Sequence, residues 1–153
     1  MAAGKRDETP RLLIILTDKK DIWKIDKILE AALNKTGKAF AVLPIYIKKE
    51  YIKNFLKAAR LVFADGIFVM GKYRGEVKYL ADVKHADKKI DTVVLKGKKY
   101  HGYFVAGEDL VEKLKSKDKE ALLAISECIK LWTGRKLSAV PIQKIIEGVE
   151  KDK

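Results

Sequence analysis

The residues best suited to chemistry lie between positions 72 and 104, where cations and aromatic rings alternate. Lys72, Arg74, Lys78, Lys84, Lys96, Lys98 and Lys99 interleave there with Tyr73, Tyr79, Tyr100, Tyr103 and Phe104, and His101 stands among them. Cations hold phosphates and aromatic faces stack on unpaired bases, so this mixture predicts a surface for RNA or single-stranded DNA. A second cationic set, Lys49, Lys53, Lys57 and Arg60, recurs at i, i+4, i+8 and i+11, which is one face of a helix. Like charges at that spacing repel by about 0.2–0.5 kcal/mol per pair, and a polyanion laid across them removes that cost.

Two short stretches resemble known motifs. Residues 99–105 (KYHGYFV) resemble the aromatic strand of an RNA recognition motif: His101 stands where a basic residue would, followed by Gly102 and Tyr103. Phe104 falls where that family keeps Gly or Ala, and the order of elements around the stretch departs from the family's βαββαβ. The resemblance is therefore confined to seven residues. Asp65, Asp82 and Lys84 resemble the PD-(D/E)xK nuclease pattern, in which two acids hold Mg²⁺ and a lysine positions the water. Ala64 occupies the proline position here, and the pattern requires a strand over 79–84.

No catalytic residue is assigned outside that nuclease alternative, and no metal or cofactor is expected. Cys128 is the only cysteine, which excludes an internal disulfide and a cysteine-built zinc site. His85 and His101 are the only histidines and form no His-x-x-x-His pair. Neither G-x-x-x-x-G-K-[ST] nor G-x-G-x-x-G occurs. Gly71-Lys72-Tyr73-Arg74-Gly75 is a glycine-bounded basic turn whose backbone amides could cradle a phosphate.

The net charge of +12 is unevenly spread. Residues 19–60 carry eleven Lys or Arg against four acids, and residues 71–103 carry nine against four. Residues 107–153 are nearly balanced, ten against nine. A field of that sign attracts polyanions and says nothing about fold. Lysine dominates the charge, and side-chain amides number one Gln and two Asn, a balance seen in proteins from hot environments. A lone thiol and a charged, polar start point to a reducing compartment, the cytoplasm. No apolar run approaches the length of a membrane span.

These residues need elements to position them. The run RLLIILT (11–17) reads as a buried strand, and Ile22, Ile25, Ile28, Leu29, Ala32 and Leu33 follow at helical spacing. Residues 38–47 read as a second strand, in which Pro44 argues for an edge position, a bulge or an early strand end. Residues 49–64 predict a helix and 67–70 a third strand. Residues 71–89 suit either a short helix, which is preferred, or a strand. Residues 91–95 and 100–106 predict a hairpin joined at 96–99. Helices are expected over 108–115 and 119–132, with a last one opened by Pro141.

Strand–helix alternation of this kind predicts a three-layer α/β fold. The expected sheet is mostly parallel, with four or five strands, a C-terminal antiparallel hairpin and helices on both faces. An α+β fold with a meander is the alternative. A single domain over 11–150 follows a flexible tail over 1–10. The function expected from these residues is noncatalytic nucleic-acid binding, as a possible subunit of a larger complex. The alternatives are an enzyme on an anionic substrate, either a nuclease or a nucleotide-handling α/β enzyme, and a protein-interaction subunit for an acidic partner. The C-terminal helices, with Trp132 and the stripe from Ile142 to Val149, are the expected protein-facing surface. The sequence leaves open RNA against DNA, any sequence preference, oligomeric state and whether the two basic clusters share a face.

Overall fold

The computed structural model describes residues 10–151, so nearly all of the expected N-terminal tail lies outside the described residues. Strand β1 (Arg11–Thr17) is buried from Leu13 to Thr17, as a central strand with both faces covered requires. Trp23 and Lys24 take left-handed backbone angles and turn the chain into α1 (Ile25–Lys35). The apolar stripe of α1 is wholly buried, each large side chain contributing roughly 1.5–3 kcal/mol. Strand β2 (Phe40–Tyr46) pairs parallel to β1 at the edge of the sheet, where the missing N–H of Pro44 is tolerated.

A 3-10 turn (Lys49–Tyr51) opens α2 (Ile52–Leu61), and β3 (Gly66–Val69) then pairs parallel to the other side of β1. The ambiguous segment is part helix and part strand. A 3-10 turn (Gly71–Tyr73), the single-turn α3 (Arg74–Val77) and a second 3-10 turn (Lys78–Leu80) lead to the two-residue strand β4 (Val83–Lys84). Strands β5 (Thr92–Lys96) and β6 (Lys99–Tyr103) form the expected hairpin. Helices α4 (Leu110–Lys115), α5 (Lys119–Thr133) and α6 (Ala139–Lys151) close the chain. Asp118 caps α5, its carboxylate accepting from the Glu120 and Ala121 amides.

The sheet order is β2-β1-β3-β5-β6-β4. Five strands run one way and β5 runs against them. The fold is thus three-layer α/β with a mostly parallel sheet. It has six strands where four or five are expected, because β4 is too short to show a sequence pattern. β4 pairs with β6 and does not lie between β3 and β5, so there is no meander.

On one face, Leu13, Ile15, Phe68 and Val94 pack under α1, α4, α5 and α6. On the other, Leu16, Ile67, Val69 and Val93 pack under α2 and the 71–80 segment. Trp132 ties α5 to the sheet: its Nε1–H donates to the Val93 carbonyl at 3.0 Å, and its ring meets Phe68 edge-on. Gly66 makes room for it, since a Cβ there would stand 2.6 Å from the indole nitrogen. This packing corrects the expectation of a protein partner on the C-terminal helices: Trp132, Ile142 and Ile146 are core residues and face no solvent. Among the described residues no helix is long and apolar enough to cross a membrane.

Candidate functional site

Parallel strands bring their C-terminal ends, and the loops that leave them, to one end of the sheet. The chain leaves β1 for α1 on one face and leaves β3 for the 71–80 segment on the other. Connections therefore diverge between β1 and β3, and open α/β sheets bind ligands in the crevice that such a divergence opens. A crevice of about 400 Å³ lies at this point. Thr17, Phe68 and Met70 contribute to its lining from the strand ends. Thr17 is buried and fixes the turn after β1, its Oγ1 accepting from the Lys19 amide at 3.0 Å.

The turn after β3 is held just as tightly. Gly71 has φ +84°, and a Cβ there would fall on the Asp18 carboxylate, so this turn admits only glycine. One oxygen of Asp18, Oδ1, is buried without a hydrogen-bond partner among the described residues. Arg74 reaches across the crevice, Nη1 donating to the Gly71 carbonyl at 2.7 Å and Nη2 to the Gly107 carbonyl at 3.4 Å. Its Nε is buried and has no partner among the described residues.

The far side of the crevice hangs on Asp91. This fully buried carboxylate accepts from the amides of Val105, Ala106 and Gly107 and from the Thr92 hydroxyl, at 2.9–3.4 Å. It thereby fixes the loop that carries the chain from β6 to α4. Glu108, Asp109 and Glu112 line the crevice, as do Lys72 and Arg74. Lys89 donates to Glu108 at 2.7 Å and, with its charge, holds that carboxyl below the usual carboxylate range. The crevice thus holds both cations and carboxylates, a set that suits a ligand with an anionic end and hydroxyl groups.

The residues expected to bind nucleic acid are dispersed. Tyr73 and Tyr100 are core, their hydroxyls donating to the carbonyls of Ile47 and Ala64. They cannot stack on bases. Tyr103 is half-buried, its ring lying 4.3 Å from His85, and His85 meets His101 at 3.1 Å. Lys96 lies over Tyr103 and Lys78 over Tyr79, while Lys98 and Lys99 are exposed on the hairpin. Lys49, Lys53, Lys57 and Arg60 line a separate groove on α2. Only Lys72 and Arg74 of the whole set reach the crevice.

The nuclease set is not assembled either. Asp65 accepts from the Leu12 amide at the start of β3, while Asp82 accepts from Arg60 and the Tyr100 amide. Those bonds, the Tyr100 amide first, lower the pKa of Asp82. Lys84 lies over the Tyr79 ring. Among the described residues, no three His, Cys, Asp or Glu side chains form a group that could hold a metal ion. Cys128 is fully buried beside Thr92, and burial pushes its thiol far above the ordinary range.

Thr17, Asp21, Glu108, Asp109 and Glu112 carry no motif in the sequence and acquire meaning only from where the sheet brings the ends of its strands and the segments that leave them.

No protein-family model matches the chain, and no curated protein matches it. Solved structures do. A chorismate mutase/shikimate 5-dehydrogenase fusion protein from Clostridium acetobutylicum is 9% identical, with a TM-score of 0.70, over 94% of this chain and 98% of that one. Shikimate dehydrogenase 1 from Peptoclostridium difficile is 17% identical, with a TM-score of 0.58, over 71% of this chain and 42% of its own. Shikimate 5-dehydrogenase from Listeria monocytogenes, solved with shikimate and NAD, is 14% identical, with a TM-score of 0.60, over 75% and 41%. The chain therefore spans about two fifths of the length of the latter two enzymes. These likenesses establish the fold.

They also overturn the expectation of a noncatalytic RNA- or single-stranded-DNA-binding domain, since the architecture is one shared with shikimate dehydrogenases, and two of the rings meant to stack on bases, Tyr73 and Tyr100, are buried. The nucleic-acid partner falls with that expectation. The turn between β1 and α1 differs from the glycine-rich turn of dinucleotide-binding folds. Residues 18–24 (DKKDIWK), between β1 and α1, contain no glycine, and the close approach of a pyrophosphate to the first helix requires glycines there. The strand order also departs from the 3-2-1-4-5-6 order of dinucleotide-binding sheets.

Proposed function

We propose that this chain binds a small polyhydroxylated carboxylate of the shikimate kind in the crevice between the ends of β1 and β3. The observation that carries the reading is that Lys72 and Arg74 line, together with Glu108, Asp109 and Glu112, a crevice of about 400 Å³ at the divergence point of the sheet. That size lies within the usual range for small-molecule sites. The cations meet the ligand's carboxylate, and the acidic residues accept from its hydroxyls. The part of Arg74, a planar fork of donors, is to bind and orient. The likeness to enzymes that act on shikimate supports the choice of ligand. The glycine-free turn after β1 argues that a nicotinamide cofactor is not held by this chain. A cytoplasmic location belongs to the same reading, supported by the single buried thiol.

Titration of the ¹⁵N-labelled chain with shikimate, and separately with NAD⁺ and NADP⁺, tests it. Shikimate is expected to shift the amides of Thr17, Lys72 and Gly107 saturably, and the dinucleotides to leave them in place. Lys72→Ala and Arg74→Met are each expected to weaken shikimate at least about tenfold, equivalent to roughly 1.4 kcal/mol. Absence of any shift at shikimate concentrations on the order of 10 mM, weaker than any useful site, would sink the reading.

A further inference from the structure

The cationic face of α2 has no part in the crevice. Lys49, Lys53, Lys57 and Arg60 line a groove of about 470 Å³ between α2 and the 71–80 segment. Ile52, Leu56 and Leu80 are its apolar lining. Tyr79 bounds it too, 75% exposed, with Lys78 and Lys84 over its ring at 5.4 and 6.0 Å. Arg60 is engaged by Asp82 and the Leu80 carbonyl, but Lys49, Lys53 and Lys57 form no ion pair among the described residues. Glu76 is the only carboxylate on the lining. The groove is therefore apolar below and cationic above, with lysine stems as walls and ammonium groups at the rim.

We infer that this groove binds a long-chain carboxylate, a free fatty acid, with its alkyl chain on Ile52, Leu56 and Leu80 and its head among Lys49, Lys53 and Lys57. Charge complementarity requires an anionic head, because the rim lysines repel one another until one is supplied. Depth requires a slender body. Ile52 and Leu80 line the groove but are each only 3% exposed, so only a slender body reaches them. A flat bilayer, or a helix about 10–12 Å across, would rest on the lysine tips without reaching them. An alkyl chain enters. The volume matches a site for one such molecule. The exposed Tyr79 ring then has a role as the wall that closes over the chain.

The test is titration of the intact chain with dodecanoate below its micelle concentration, read by NMR at Ile52, Leu56 and Tyr79. Acetate supplies the head without the chain, octyl glucoside a chain without charge, and anionic phospholipid vesicles a surface. Saturable one-to-one binding of dodecanoate is expected, at least tenfold tighter than acetate or octyl glucoside. Lys53→Glu with Lys57→Glu should weaken it at least tenfold at an unchanged unfolding midpoint. If that pair disturbs folding, Tyr79→Ser, at an exposed position, should produce a comparable loss. Equal binding of octyl glucoside, binding to vesicles alone, no saturable binding of dodecanoate, or indifference to these substitutions would each overturn the proposal.

Discussion

Asp91 is fully buried, and four donors answer its charge. A buried carboxylate without such partners would cost several kcal/mol, so the loop over residues 104–107 and the carboxylate depend on each other. Asp91→Asn keeps the shape but turns an NH₂ toward at least one backbone N–H. The expected cost is about 1–3 kcal/mol, read as a lowered urea midpoint, together with weaker shikimate binding. An unchanged midpoint would show that the loop holds itself. From the sequence, Asp91 is only the polar first residue of an apolar run. Its backbone partners lie 14 to 16 positions away, and nothing local announces them. Arg74 is the converse case. Its charge was legible and its target was not, because the carbonyls it bridges come from two different loops.

At the scale of elements, β4 shows how tertiary pairing decides what propensity leaves open. Two residues form this strand because β6 offers an open edge, and the pairing sets His85 against His101 with their ring nitrogens 3.1 Å apart. Desolvation lowers the pKa of His101, and the charges of Lys96, His85 and Lys99 lower it further, with Asp82 opposing them. A depressed imidazole favours the neutral form in the fold. Its contribution to stability is complete above the ordinary histidine value of about 6.5 and is lost as pH falls through that value toward the folded one. An NMR titration should therefore place the His101 midpoint below the ordinary range, and Lys96→Met should move it upward. A midpoint at or above that range would refute the account. The longer elements were legible: RLLIILT, the α1 stripe and the 92–103 hairpin carry their own period or run length. Helix α2 is shorter than its pattern because the residues beyond Leu61 turn away before β3.

For the whole molecule, Trp132 is the joint between layers. It packs on Phe68, bonds to the Val93 carbonyl and fills the space that Gly66 leaves. Trp132→Ala is expected to cost about 3–5 kcal/mol in a chemical denaturation curve, with loss of the indole signal. A cost near 1 kcal/mol would mean that α5 docks without it. The same packing explains why an exposed protein-binding face could not be read from these helices: an apolar stripe is the same pattern whether it meets a partner or its own sheet.

Several properties were determined by local sequence alone. Alternating strand and helix patterns dictated a three-layer α/β fold, and the uneven lysines a basic first two thirds. These follow from backbone chemistry and periodicity, which act over a few residues. What only the tertiary structure decided is which cations converge. Lys72 and Arg74 were grouped with a hairpin and an aromatic series near them in sequence, but the sheet order sends the hairpin away and brings the 108–112 segment to the same crevice. A binding site at the end of a parallel sheet is made of strand ends distant in sequence, so its members become neighbours only when the order of strands is known.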